Sequence, residues 1–286
     1  TGHMRQEADL TFNPDDVKKS GVFKTPKGAQ FPYIFNALGY IQQDAYEPRE
    51  HAIMLRNGRI TLNKWVPSQV KPQNARVVSE SDLAIWREFL ERWFPVEEER
   101  NFFEQWLAVT TMRPEVHVDM APLIRSEQGV GKNFLMDQVI APLSGVTNAK
   151  TTNLTQLVGD FSGDLFESTV ILVDEVYSNK KQTADRLKNK VTDRRARVNI
   201  KYQPQYEMPL FYNLLMFSND EVPLYIEQND RRWWIPQFIQ HRESRSETAS
   251  FLTTEMLPWV THDGLEILAK HFWDVAKETN FSTFNG

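Results

Sequence analysis

The sequence predicts an α/β fold with a central parallel sheet, a helical lead-in and a short helical C-terminal tail. Three features carry that reading. MAPLI (residues 120–124), TVILVDEV (169–176) and YNLLMFSND (212–220) are short apolar runs of the kind that fill buried parallel strands. SEQGVGKN (126–133) is a Gly-containing turn between the first run and a helical stretch, NFLMDQVIAPL. SDLAIWREFLERWF, from Ser81, spaces Leu83, Trp86, Phe89, Leu90 and Trp93 at helical intervals behind a Ser-Asp start.

The elements follow in order. Residues 1–4, TGHM, read as a cloning scar, so the chain is expected to be a piece of a longer protein. Residues 5–80 are mixed; KTPKGAQFPY and WVPSQVKPQN read as loops between short strands. Residues 81–114 form the helical lead-in. Pro95 opens its second helix, with Phe102, Phe103, Trp106, Leu107 and Val109 on one side, and the helix stops before Pro114. Core packing explains these aromatics more simply than a cofactor site does. Residues 115–240 form the α/β core. Residues 241–286 form the tail, helical around 251–260 and 264–277, while HRESRSE at its start carries no readable signal.

Composition narrows the function classes. The chain has 286 residues, 41% hydrophobic, and a formal net charge of −5. No apolar run approaches the ~18 residues of a membrane span, and no signal peptide is visible, so a cytoplasmic protein is expected. The absence of Cys excludes disulfides and Cys-ligated zinc. The six His are scattered, and His117, His262 and His271 read as ordinary core or surface residues. A net acidic chain does not coat nucleic acid with its whole surface, so any such contact is local.

SEQGVGKN resembles the phosphate-binding pattern G-x-x-x-x-G-K-[ST] with two departures: Ser126 replaces the first Gly, and Asn133 replaces the Mg²⁺-binding hydroxyl residue. In such a loop Gly129 and Gly131 let the backbone of Ser126, Gln128, Gly129, Val130, Gly131, Lys132 and Asn133 wrap a polyphosphate. Lys132 then reaches the β and γ phosphates. Ser126 is tolerable if its backbone avoids positive φ. Asn133 still offers an oxygen toward Mg²⁺. The run 170–173 leads into Asp174 and Glu175, at the strand end where α/β sheets hold ligands. Asp174 is placed to hold Mg²⁺ and Glu175 to polarise an attacking water, although a strand ending in solvated acids is the plainer alternative. Asn219 ends the next strand; it is either a γ-phosphate contact or part of an Asn-Asp turn. Arg231 and Arg232 follow, readable as a surface ion pair with Asp230 or as arginines that reach a neighbouring subunit's phosphate.

Taken together, SEQGVGKN, LVGDFSGDL, VILVDEV, LLMFSND and DRRWW resemble the superfamily 3 helicase domain, a branch of the AAA+ P-loop NTPases. The likeness is strongest to the version found in phage and plasmid primase-helicases and primase-polymerases, and it spans residues 63–239. The resemblance implies that Lys132 is the Walker A lysine, that Asp174 and Glu175 form Walker B, and that Asn219 is sensor 1. It makes Arg232, with Arg231 beside it, the arginine-finger candidate. It also implies ATP and Mg²⁺ as cofactors, a homo-oligomeric ring (a hexamer), single-stranded or forked DNA as partner, and a primase or polymerase domain in the full-length protein.

DRLKNKVTDRRARVNIK (185–201) sets seven Lys/Arg against two Asp, a strongly basic stretch in an acidic chain. It is either a solvated helix face or a DNA contact. It passes into RVNIKYQPQYEMPLF, which alternates around a Gln-Pro-Gln turn like a β-hairpin, 194–211. Pro209 keeps the second arm out of a central strand. By resemblance this hairpin faces the ring channel and Lys201 grips DNA. Tyr202 or Tyr206 would either stack on bases or pack across the strands. Arg194, Arg195 and Arg197 would contact DNA or a neighbouring subunit. Two rivals remain: another P-loop enzyme, such as a packaging motor or a small-molecule kinase, and a weakly active or inactive nucleotide-gated DNA-binding scaffold.

Overall fold

The computed structural model describes residues 41, 43–72, 77–159, 165–198, 206–227 and 229–280. The chain divides into two units, one ending at Tyr46 and resuming over Glu50–Lys64, the other taking Glu47–Arg49 and everything from Trp65. The described part of the first unit is a three-stranded sheet, β1 (Gln43–Ala45), β3 (Arg59–Asn63) and β2 (Ile53–Arg56) in that order. β2 and β3 pair antiparallel with Arg56 opposite Arg59. The two-residue turn between them is Asn57-Gly58, at φ +50° and +75°. Both central residues at positive φ is what a type I′ hairpin requires, and Asn-Gly accepts it at least cost.

The second unit is built on a five-stranded, all-parallel sheet. Its strands are β4 (Ala121–Arg125), β5 (Ala149–Asn153), β6 (Val170–Asp174), β9 (Asn213–Ser218) and β10 (Trp233–Trp234). Their spatial order is β10-β4-β9-β6-β5. From β4 the chain crosses to the far edge at β5, returns through β6 and β9, and passes beyond β4 to β10. The three central strands are buried on both faces, which is why each reads as an unbroken apolar run. β7 (Arg195–Val198) and β8 (Tyr206–Pro209) form a separate antiparallel ribbon, with Val198 opposite Tyr206. Residues 199–205, with Lys201 and Tyr202, lie outside the described residues, as does the Arg197 side chain.

Helices α1 (Ala84–Trp93) and α2 (Glu97–Met112) bury their aromatic faces against the sheet and the C-terminal helices. α1 begins after Leu83 and α2 after Val96, close to the Ser-Asp start and Pro95 that mark them in the sequence. Helix α3 (132–144) starts as Lys132–Leu135, passes a π-helical turn at Met136–Ile140 and ends as Ala141–Ser144. Helix α4 (Leu154–Val158) is capped by the Asn153 side chain, and α5 (Lys181–Thr192) leads to the ribbon. The tail runs as α6 (Arg245–Phe251), capped by Ser244, then through further helical turns into α7 (Leu265–Glu278). Among the described residues no helix is long and apolar enough to cross a membrane.

One buried carboxylate ties α1, α2 and α7 together. Glu104 accepts from Trp86 Nε1 at 2.7 Å and from Arg87 Nη1 at 2.7 and 2.8 Å, and His271 Nε2 lies 3.0 Å away. Burial alone would raise its pKa. His271 and Arg87 overcome that and hold the carboxyl at about 2, against an ordinary 4.5. Its contribution is complete above pH 4.5 and is lost as pH falls toward 2.

His117 behaves differently. Burial, with the nearby Arg194 charge, lowers its pKa from 6.5 to about 4. Its Nε2 lies 2.9 Å from the Val191 carbonyl, so Nε2 is the protonated nitrogen of the neutral ring. The unfolded chain takes up this proton first, so stability is full above pH 6.5 and falls between pH 6.5 and 4. The loss is about 3 kcal/mol for this group. Denaturant melts from pH 7 to 4 check it: His117→Gln is expected to flatten that part of the curve and lower the plateau at pH 7.

Candidate active site

The phosphate-loop sequence forms the connection from β4 to α3. Ser126 continues the strand, its N–H donating to the Ser218 carbonyl at 2.9 Å. It bridges Ile239 on the other side and has no positive φ, so a residue with a Cβ fits. Gly129 and Gly131 take φ +87° and +107°, conformations that favour glycine. The loop is anchored from three sides. Trp93 Nε1 donates to the Val130 carbonyl at 2.9 Å. His241 Nε2 lies 3.0 Å from the Gln128 carbonyl, and His241 N–H donates to Glu127 Oε2 at 2.8 Å. A Cβ on Gly129 would fall 2.9 Å from Arg245 Nε, so that guanidinium lies directly against the loop. The first turn of α3 presents N–H groups without intrahelical acceptors, the usual donors for an anion.

The strand order brings the remaining residues to the same place. β9 lies between β4 and β6, so Asn219, just past β9, stands between Lys132 and Asp174. Lys132 Nζ donates to Asn219 Oδ1 at 2.9 Å and lies 3.6 Å from Asp174 Oδ1. It also sits 5.8 Å from the centre of the Phe217 ring. Phe217 packs edge-on against Trp93, so one aromatic contact supports both the lysine and the loop. Glu175 is exposed and takes φ +52°. A non-glycine residue there costs on the order of 1 kcal/mol, a strain that recurs at functional positions. Its N–H donates to Asp174 Oδ1 at 2.9 Å, and the next residue, Val176, resumes pairing with Phe217. The kink takes Glu175 out of the strand's alternation at the carboxyl edge of the sheet. Asn133 is exposed in the first turn of α3.

Arg232, with Arg231 next to it in the chain, is not part of this cluster. The Arg232 carbonyl accepts from the N–H of Ala121, the first residue of β4. Arg232 therefore lies at the amino end of the sheet. Five residues of strand, at about 3.3 Å each, put roughly 16 Å between that level and the start of the loop. Arg232 Nη1 donates to Asp230 Oδ1 at 3.1 Å.

The ribbon arginines have partners within the chain. Arg194 donates to the His117 carbonyl at 2.8 Å and to Asp119 at 2.6 Å, fixing the ribbon's root beside β4. Arg195 lies 3.7 Å from Glu207 across the ribbon, both exposed. Within the basic stretch Lys188 is buried and points at Glu227 and Asp230.

Sequence reasoning missed Trp93, His241 and Arg245. Trp93 sits among core aromatics of identical pattern. The other two act on the loop only through tertiary approach, and no local signal marks them.

A protein-family model, described as a family of unknown function (DUF5906), matches residues 124–232. A DNA primase-polymerase of Nitratiruptor phage NrS-1 is 25% identical over 217 residues, 73% of this chain. The chain spans 28% of that relative's length. An apo structure of the NrS-1 C-terminal region superposes with a TM-score of 0.66 at 23% identity, over 85% of this chain and 56% of the other. A second such structure gives 0.64 at 22% identity, over 89% and 61%. The two proteins share the fold of that region.

Proposed function

We propose that this chain is the ATP-hydrolysing motor domain of a ring that translocates on single-stranded DNA, part of a phage or mobile-element primase-helicase. The observation that carries the reading is the meeting of Lys132, Asp174 and Asn219 beside a glycine loop at the carboxyl end of a parallel sheet. The phage primase-polymerase relative supports the setting in replication and a primase or polymerase domain elsewhere in the full-length protein.

The residues fit a nucleoside triphosphate. Two positive-φ glycines open the loop, and a lysine and an arginine border it. In this mechanism the loop amides and Lys132 bind the β and γ phosphates. Asp174 and Asn133 would hold Mg²⁺, which when bound neutralises charge on the phosphate oxygens. Glu175 accepts the proton of the attacking water. Asn219 exchanges its bond to Lys132 for one to the γ-phosphate or the water. Arg232 sits too far from its own chain's loop and serves the neighbouring subunit's site, which makes the active form an oligomer; a hexameric ring is the form proposed. Arg195, Arg197, Lys201 and Tyr202 are the proposed DNA contacts, while Arg194, bound to Asp119 and the His117 carbonyl, is proposed to reach DNA only by giving up that anchor.

Strand separation on a fluorescently labelled forked duplex tests the proposal. ATP-dependent release of one strand is expected, absent without nucleotide. ATP binding without release or turnover would contradict it and favour a nucleotide-gated scaffold. Turnover indifferent to single-stranded DNA would favour another P-loop enzyme.

A further inference from the structure

Asp230 is a carboxylate with only 3% of its side chain exposed, shared between two cations. Its Oδ1 accepts from the Arg232 backbone N–H at 3.2 Å and from Arg232 Nη1 at 3.1 Å. Its Oδ2 lies 3.1 Å from Lys188 Nζ. Lys188 is itself 10% exposed and projects from α5. The same helix reaches this segment a second time. Lys188 donates to Glu227 at 3.0 Å, and Lys181, two turns earlier, lies 3.2 Å from Glu227. The segment carrying Arg232 is therefore fastened to α5, and α5 ends three residues before β7 of the ribbon. The Glu227 pairs are half-exposed and worth little. The Lys188–Asp230 pair is buried, and losing Lys188 leaves Asp230 with Arg232 as its remaining cation in a site shielded from water. A shift of α5 must then carry Asp230 with it, and Asp230 holds the Arg232 guanidinium.

We infer that Asp230, held by Lys188, is a positioning residue that fixes Arg232 and makes its placement follow the ribbon's supporting helix. The inference rests on the reading of Arg232 as acting on a neighbour's nucleotide. It supplies a physical link between DNA on the ribbon and hydrolysis at the next subunit: whatever moves α5 moves the arginine.

The test measures kcat, KM for ATP and stimulation by a single-stranded oligonucleotide in the full chain, with a thermal melt for each variant. Asp230→Asn and Lys188→Met are expected to lower kcat roughly 3- to 30-fold and to reduce DNA stimulation, with KM for ATP unchanged. Asp230→Asn combined with Arg232→Ala is expected to be no slower than Arg232→Ala alone, because both act through one guanidinium. Should Asp230→Asn fail to fold, Lys188→Met, which keeps a long apolar side chain at the buried position, carries the same test. Lower melting temperature with kcat and DNA stimulation intact would overturn the inference and leave the pair a structural tie. So would losses that multiply in the double variant. Arg232→Ala at wild-type speed would overturn the reading of Arg232 itself, and this inference with it; a slow Arg232→Ala beside a wild-type-speed Asp230→Asn would overturn the inference alone.

Discussion

Arg232→Ala is expected to cut steady-state ATP turnover by about 10³-fold or more while leaving ATP binding in place. On the proposed reading, the magnitude is what removing a full positive charge from a transferring phosphoryl group costs. The location follows from the sheet: Arg232 pairs with the first residue of β4, and the loop follows its last. A residue that serves its own chain would be disabled within that chain. A residue that serves a neighbour can be complemented. Arg232→Ala and Lys132→Ala, each inactive alone, are expected to recover activity when mixed, since one interface type joins an intact Lys132 to an intact Arg232. With random assembly in a ring, roughly a quarter of interfaces are of that kind. A mixture that stays inactive, although the two proteins assemble together, would remove Arg232 from the neighbour's site.

Glu175→Gln is expected to slow hydrolysis by roughly 10²- to 10⁴-fold with ATP affinity unchanged. Glutamine keeps the size and the hydrogen-bonding reach but cannot take the water's proton. The φ of +52° at Glu175 supports this assignment. A side chain that only ended a strand in solvent would have no reason to sit in a strained conformation next to Asp174. Single-turnover hydrolysis and equilibrium nucleotide binding, measured on the same preparation, separate the two effects. Equal losses in both would make Glu175 a structural residue.

The central strands were legible because strands buried on both faces must be apolar throughout. Leu123 and Ile124, Val170 to Val173 and Leu214 to Phe217 are all buried, and each run is continuous in the sequence. β5, AKTTN, was not legible: an edge strand half exposed to solvent carries no such run. β10 is only two residues long. The strand order was hidden as well, since no local pattern says that β9 inserts between β4 and β6. That insertion is what seats Asn219 against Lys132. The basic stretch 185–201 shows the limit of counting charge. Lys188 is turned inward onto acids and Arg194 is held by Asp119, so formal charge overstates what the surface offers to DNA. The Asn57-Gly58 hairpin, in contrast, has a plain local signal, since Asn-Gly takes the two positive φ values of its turn at little cost.

The most direct test of the central claim is steady-state ATP hydrolysis with Mg²⁺, with and without single-stranded DNA, by the wild-type chain beside Lys132→Ala. The account predicts turnover that rises with DNA and vanishes in the variant, because Lys132 stands where the loop, Asp174 and Asn219 meet. Turnover that survives in Lys132→Ala, or ATP bound without turnover at any protein concentration, would contradict it.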